Sequence, residues 1–158
     1  MCDLPLAGQR LLIREDLNVP LSKGRIADNS RIKAMINTVT FAHKAGATVM
    51  IMSHLGRPKE GTIEPILSLR PIASALSVLL GLPVNFAEDW IDGFPAQAGS
   101  ITLFENVRFL KGEQSNSEEL AKKMADLCDI FVNDAFATAH RAHASTHGVA
   151  KYAAIACS

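Results

Sequence analysis

Three histidines and one arginine stand close together in the stretch HRAHASTHG, at positions 140–148. A helix would bring His140, His143 and His147 to one face, which is a spacing that zinc ligands use. Arg141 argues against a metal, because its positive charge repels a divalent cation and the stretch contains no carboxylate or thiolate. The pattern predicts an anion-binding corner without a metal ion. In it, His140 and His143 donate or support hydrogen bonds, whereas His147 packs or caps.

Arginine is also concentrated elsewhere, in turns that follow apolar runs. Five of the eight arginines lie in or beside such turns, whereas only Lys59 of the eight lysines adjoins one. These arginines are Arg14, Arg31, Arg57, Arg108 and Arg141. Polar loops would explain any one of them. A guanidinium, however, grips a carboxylate or phosphate with paired hydrogen bonds that lysine cannot make, so the five together predict a site for a small polyanion.

The elements that must position these residues alternate between short apolar runs and amphipathic stretches. Strands are predicted over 11–13, 47–52, 84–86, 101–104 and 130–132, and helices over 30–45, 70–80 and 117–128. Asp28, Asn29 or Ser30 can cap the first helix, and Gly46 can end it. This order predicts a three-layer Rossmann-like α/β domain, with a mostly parallel sheet and helices on both faces. Ligands of such sheets bind beyond the carboxyl ends of the strands, where the arginines fall.

Composition excludes several classes of function. Sixteen basic and sixteen acidic residues balance, so a nucleic-acid-binding surface is not expected. The N-terminus does not have the pattern of a signal peptide, and no apolar stretch is long enough to span a membrane. Cys2, Cys128 and Cys157 are an odd number without CxxC spacing, which predicts reduced thiols in a cytoplasmic protein.

Five blocks of the sequence resemble the N-terminal domain of the phosphoglycerate kinases. They are REDLNVPL (14–21), DNSRI (28–32), SHLGRP (53–58), LFENVRF (103–109) and NDAFATAHRAHAS (133–145). The resemblance implies one six-stranded domain over 1–158 that binds 3-phosphoglycerate or 1,3-bisphosphoglycerate, in a cytoplasmic glycolytic enzyme with a monomeric parent. It implies that MgATP or MgADP binds to a C-terminal domain that is absent here, so that this chain binds no cofactor itself and is inactive alone.

The resemblance also implies a role for individual residues. Those that match the family's substrate contacts are Arg14, Asp16, Leu17, Asn18, Arg31, His54, Leu55, Gly56, Arg57, Arg108 and Arg141. Asp16 and Asn18 match contacts to the carboxylate and hydroxyl end of the substrate. Arg31 matches the catalytic arginine that stabilises the transferring phosphoryl group, and His140 and His143 match supporting residues of the basic patch.

One residue departs from the family pattern, which usually has a small apolar residue where this chain has Glu15. By strand alternation Glu15 points away from Asp16 and Asn18, so no substrate contact is expected. A charged side chain on a covered face nevertheless raises a packing question. Two other functions stay open, namely a stand-alone anion-binding module and a metal-dependent hydrolase built on the histidines. The sequence has no GxxxxGK[ST], GxGxxG or GxSxG motif.

Overall fold

The computed structural model describes residues 4–19, 21–22, 25–26, 30–135 and 141–157, which form a six-stranded sheet covered by helices. The strands are β1 (Arg10–Arg14), β2 (Leu21–Ser22), β3 (Arg25–Ile26), β4 (Thr48–Met52), β5 (Val84–Ala87), β6 (Ile101–Phe104), β7 (Ile130–Asn133) and β8 (Ile155–Cys157). The helices are α1 (Ser30–Lys44), α2 (Arg70–Leu80), α3 (Glu118–Asp126) and α4 (Val149–Tyr152). No helix of this described part is long and apolar enough to cross a membrane.

The sheet has the strand order β5-β6-β4-β1-β7-β8, and each neighbouring pair in it is parallel. Strands β2 and β3 form a separate antiparallel pair. At the centre, Ile13 of β1 lies opposite Ile51 of β4 and Val132 of β7. Because these strands are parallel and in register, their carboxyl ends meet at one edge of the sheet.

The two faces of the sheet bury two separate hydrophobic clusters. Leu11 and Ile13 of β1 belong to the cluster that includes α1 and α2, whereas Leu12 belongs to the cluster that includes α3 and α4. This alternation explains why β4 is apolar at nearly every position: its neighbours along the chain face opposite layers, and both layers are covered. The three-layer Rossmann-like architecture predicted from the sequence is confirmed.

Local signals account for the bounds of the helices. Helix α3 begins after Ser117, whose side chain accepts a hydrogen bond from the backbone N–H of Leu120. Glu118 and Glu119 place negative charge in its first turn, where the helix dipole favours it. Gly46 follows α1 with a φ of 85°, a conformation that glycine adopts without strain and that ends the helix.

The predicted elements are confirmed, with small differences at their ends. Helix α1 ends one residue earlier than predicted, and α3 spans Glu118–Asp126 within the predicted 117–128. Strands β2, β3 and β8 and helix α4 were not predicted, because two to four residues are too few to show a period. Asp28 and Asn29, two of the three alternative caps of α1, lie outside the described residues.

Candidate anion-binding site

The candidate site lies at the carboxyl edge of the sheet, where the turns after β1, β4 and β6 meet. Arg14 is the last residue of β1, and His54 follows the end of β4 by two positions. Arg108 lies in a short 3-10 turn after β6. The register that pairs Arg14 with Met52 on one side and Asn133 on the other brings these turns side by side. The predicted convergence of arginines at this edge therefore has a simple origin in parallel strands.

Arg14 is buried and held by several hydrogen bonds, with 1% of its surface exposed. Its Nε donates to Ser145 Oγ at 3.1 Å, its Nη1 donates to the carbonyl of Glu15, and its Nη2 lies 3.1 Å from His54 Nδ1. Burial lowers the pKa of the guanidinium to about 10, so Arg14 stays charged at neutral pH. At least three of its five donors are committed to the protein.

His54 is a neutral histidine in a cationic setting. Burial is the main cause that lowers its pKa to about 3, and the nearby charges of Arg14, Arg108 and Arg141 contribute in that order. Because an arginine N–H can only donate, Nδ1 of His54 must accept the hydrogen bond from Arg14. The proton of the neutral ring is therefore on Nε2, which makes this atom a donor.

Arg108 is fixed by the turn that follows β4. Its Nη1 donates to the carbonyl of Gly56 at 2.9 Å. Asn106 supports both turns: its Oδ1 accepts from the backbone N–H of Arg108, and its Nδ2 donates to the carbonyls of Leu55 and Leu67. Burial is the main cause that lowers the pKa of Arg108, and the charge of Arg141 is the second.

Gly56 is the residue that allows this turn to close. Its φ is 63°, in the left-handed region, and a Cβ built on it would lie 2.7 Å from Leu67 Cδ2. Its neighbour Arg57 is exposed to solvent. The glycine thus lets the chain reverse against Leu67 while the next side chain extends outward.

Asp16, Asn18 and Arg31 form a second group beside these turns. Arg31 Nη1 makes an ion pair with Asp16 Oδ2, and Asp16 Oδ1 accepts the backbone N–H of Asn18 at 3.2 Å. Asn18 Oδ1 in turn accepts the backbone N–H of Gly56 at 3.0 Å. Arg31, the predicted catalytic residue, is therefore paired with Asp16, which is predicted to contact the substrate.

Leu17 and Leu55, which the family resemblance placed among the substrate contacts, pack their side chains in the hydrophobic core. Only 0% and 3% of their surfaces are exposed. Ser53 Oγ anchors this region, because it accepts the backbone N–H of Leu17 at 2.9 Å and donates to the carbonyl of Glu15 at 2.7 Å. The side chains of the two leucines are thus not available to a ligand.

The histidine stretch divides into residues of different environment. His143 caps the turn over Ala144–Gly148 and exchanges hydrogen bonds with Thr146, while its Nδ1 lies 4.0 Å from Glu113 Oε1. The supporting role predicted for His143 stays a prediction as far as a ligand is concerned. His147 is exposed, so it does not pack in the core, and the N-cap of this turn is His143. His140 lies outside the described residues.

We define the basic patch as His54 with four arginines, which are Arg14, Arg57, Arg108 and Arg141. Arg108 lies close to two other arginines of the patch. Burial is the main cause that lowers its pKa, and the charges of Arg141 and Arg57 lower it as well. Arg31 stands beside the patch through its ion pair with Asp16. Over the described residues, which omit His140, no three His, Cys, Asp or Glu side chains are grouped to hold a metal ion.

Three residues that shape the site were not identified from the sequence. Ser145 and Asn106 lie inside two of the blocks that resemble the family, which marked these positions as candidates. Nothing in the sequence indicated which groups they would bond. Glu113 lies in the polar stretch LKGEQSN, which reads as a solvated loop, yet none of its surface is exposed. Long-range contacts of this kind leave no trace in local sequence.

The chain is similar over its whole length to proteins of one family. The model of the family "Phosphoglycerate kinase" matches residues 1–158. The structure of phosphoglycerate kinase from Coxiella burnetii is 54% identical, with a TM-score of 0.96, over 99% of this chain and 40% of that one. The enzyme from Pyrococcus horikoshii is 31% identical, with a TM-score of 0.85, over 99% of this chain and 41% of that one. The chain thus spans about two fifths of these relatives, and it belongs to the phosphoglycerate kinase family.

Proposed function

We propose that this chain forms the 3-phosphoglycerate site of a phosphoglycerate kinase, which moves a phosphoryl group reversibly between 1,3-bisphosphoglycerate and ADP. The basic patch is the observation that supports this proposal. Four arginines and the donor Nε2 of neutral His54 lie at one edge of a protein whose net charge is zero. Such a local excess of donors favours a small molecule that carries both a phosphate and a carboxylate.

The proposed contacts divide between the two ends of the substrate. We assign the phosphate to the basic patch, where Arg57, Arg108 and Arg141 supply charge. Asp16 and Asn18 receive the hydroxyl and carboxylate end. The remaining proposed contacts are Arg14, Leu17, Leu55 and Gly56. His140 and His143 support the patch.

The chemistry proposed here requires charge stabilisation rather than proton removal. The carboxylate of 3-phosphoglycerate that accepts the phosphoryl group is ionised at neutral pH, so it needs no general base. The transferring phosphoryl group spreads negative charge over its oxygens, and a well-placed arginine stabilises that charge. Arg31 is the candidate for this role, because its ion pair with Asp16 holds it beside the end of the substrate that reacts.

The rest of the reaction depends on a longer protein. Since the chain spans about two fifths of its relatives, we propose that a C-terminal domain supplies MgATP or MgADP. The sequence described here has no glycine-rich phosphate loop of its own. Closure of the two domains would then bring the substrates together. We further propose that the parent protein is a monomer that works in glycolysis in the cytoplasm.

Titration calorimetry of this chain with 3-phosphoglycerate and with MgATP tests the proposal. Charge-assisted hydrogen bonds are strong individually, but an open site loses part of their energy to screening. We expect a dissociation constant for 3-phosphoglycerate between about 10 μM and 1 mM, which rises with salt concentration. MgATP should bind poorly. Tight binding of MgATP, or no binding of 3-phosphoglycerate at low salt, would contradict the assignment.

A matched pair of variants separates the basic patch from general charge effects. Arg57→Ala removes an exposed arginine of the patch, whereas Arg10→Ala removes an exposed arginine at the opposite end of β1, where it pairs with Asp129. Both changes lower the net charge by one. Only Arg57→Ala should weaken 3-phosphoglycerate binding, by about tenfold. Equal losses in the two variants would show that the measured binding is a non-specific charge effect.

A further inference from the structure

A buried carboxylate outside the proposed substrate contacts is connected to the basic patch. None of the surface of Glu113 is exposed. Its Oε2 accepts the backbone N–H of Ser145 at 2.9 Å, and its Oε1 accepts the hydroxyl of the same serine. Burying a carboxylate is costly unless its oxygens accept hydrogen bonds. Both oxygens of Glu113 accept a hydrogen bond from the same serine, so the role of that serine must be examined.

The hydroxyl of Ser145 has one proton, which it donates in its hydrogen bond to Glu113. The oxygen of Ser145 is therefore left to accept, and the Nε of Arg14 donates to it at 3.1 Å. Donation to a carboxylate polarises the hydroxyl and makes its oxygen a better acceptor. A carboxylate at Glu113 thus fixes the direction of each bond outward, and its charge stabilises the buried guanidinium of Arg14. Burial raises the pKa of Glu113, and the hydrogen bond from Ser145 and the charge of Arg14 oppose that rise.

The chain of hydrogen bonds ends at His54, one of the proposed substrate contacts. Arg14 is held at Nε by Ser145 and at Nη1 by the carbonyl of Glu15, which aims its Nη2 at His54 Nδ1. With Nδ1 accepting, the ring keeps its proton on Nε2. Four residues from four separate parts of the chain therefore act in sequence to make one ring nitrogen a donor.

We propose that Glu113 is a positioning residue of the substrate site, which acts through Ser145 to orient Arg14 and through Arg14 to hold His54 with its proton on Nε2. The binding consequence rests on the proposed function, whereas the state of the His54 ring does not. The competing explanation is that Glu113 only fastens its own loop, because its backbone carbonyl also accepts the N–H of Ala144 at 2.9 Å. That explanation requires no effect on His54.

Nitrogen NMR of the histidine rings tests the chain of bonds without any substrate. In the unmodified chain at pH 7, His54 should show a single neutral form protonated on Nε2. Ser145→Ala removes the link to Arg14 and leaves Glu113 in place, so the His54 signals should shift toward a mixture of the two neutral forms. Glu113→Gln should do the same, because an amide has one acceptor oxygen in place of two.

Glu60→Gln is the matched control, since Glu60 accepts the N–H groups of Gly112 and Gln114 and supports the same loop as Glu113. It should leave the His54 signals unchanged. If Ser145→Ala behaves like this control while remaining folded, the proposal is overturned. A His54 ring protonated on Nδ1 in the unmodified chain would overturn it equally, and this measurement requires no variant to fold.

Calorimetry with 3-phosphoglycerate then measures the consequence for binding. Ser145→Ala should weaken affinity by about tenfold, and Glu60→Gln by less than about twofold. An altered His54 ring with unchanged affinity would overturn the link from Glu113 to the substrate site. If the unmodified chain binds no 3-phosphoglycerate, the proposed function fails, while the NMR result still decides whether Glu113 sets the state of His54.

Discussion

Glu15→Gln is expected to stabilise the chain increasingly as the pH rises from 5 to 8. Only 4% of the surface of Glu15 is exposed, and its Oε1 has no hydrogen-bond partner among the described residues. Burial, followed by the neighbouring charge of Asp134, raises the pKa of this carboxyl from 4.5 to about 8. Arg14 opposes the shift without cancelling it.

The sign follows from where the proton binds. The folded chain holds the proton of Glu15 up to a pH near 8, whereas the unfolded chain releases it near pH 4.5. The stabilising contribution of this group is therefore complete below pH 4.5 and is lost as the pH rises toward 8. One pKa unit corresponds to about 1.36 kcal/mol. Between pH 5 and pH 7 the loss amounts to about 2 to 3 kcal/mol.

Urea unfolding of both chains at pH 5, 6, 7 and 8 measures this loss. Glutamine keeps the shape of the protonated acid and does not titrate, so the stability of Glu15→Gln relative to the unmodified chain should rise by the amount stated. Glu119→Gln is the control, because 84% of the Glu119 side chain is exposed. The difference in unfolding free energy between this variant and the unmodified chain should stay constant with pH. A constant difference for Glu15→Gln would refute the reasoning and show that Glu15 is ionised in the folded chain.

Three further outcomes are expected. In a longer parent enzyme, Arg31→Ala should lower turnover by about a hundredfold or more, and Arg31→Lys should restore only part of it, as steady-state kinetics would show. Gly56→Ala should lower the unfolding free energy by more than Gly81→Ala, because both have a positive φ but only Gly56 would meet a side chain, that of Leu67; thermal melts compare them. Ser117→Ala should cost about 1 kcal/mol in urea unfolding through loss of the α3 cap.

Most of the fold could be predicted because its signals are local. The central strands are buried on both faces, so they appear as unbroken apolar runs, and α1 repeats Ile32, Met35 and Val39 at helical spacing. Strand β8 escaped prediction for the opposite reason. Its three residues are mostly exposed and gain their order from pairing with β7, which is remote in sequence.

The sequence could predict which residues of the site follow the strands and therefore lie at one edge of the sheet, but no more than that. Parallel strands send Arg14, His54 and Arg108 to one edge, and this could be inferred from their positions alone. The bonds among side chains could not, since Glu113 and Ser145 are 32 residues apart and meet through two irregular turns. The family pattern, with a small apolar residue where this chain has Glu15, indicated a covered face, and only 4% of the surface of Glu15 is exposed.

The arginines of the basic patch differ in what they can contribute to binding. Arg14 and Arg108 are buried and bonded to protein acceptors, so they present charge in a fixed geometry that requires no rearrangement when an anion arrives. Arg57 and Arg141 are exposed, so their attraction reaches further into solvent but is screened by salt. Within the proposed function, the exposed pair draws the substrate in, and the buried pair with neutral His54 defines where its phosphate comes to rest. A histidine in such a place must stay uncharged, because a further cation beside two buried guanidinium groups would destabilise the fold that holds them.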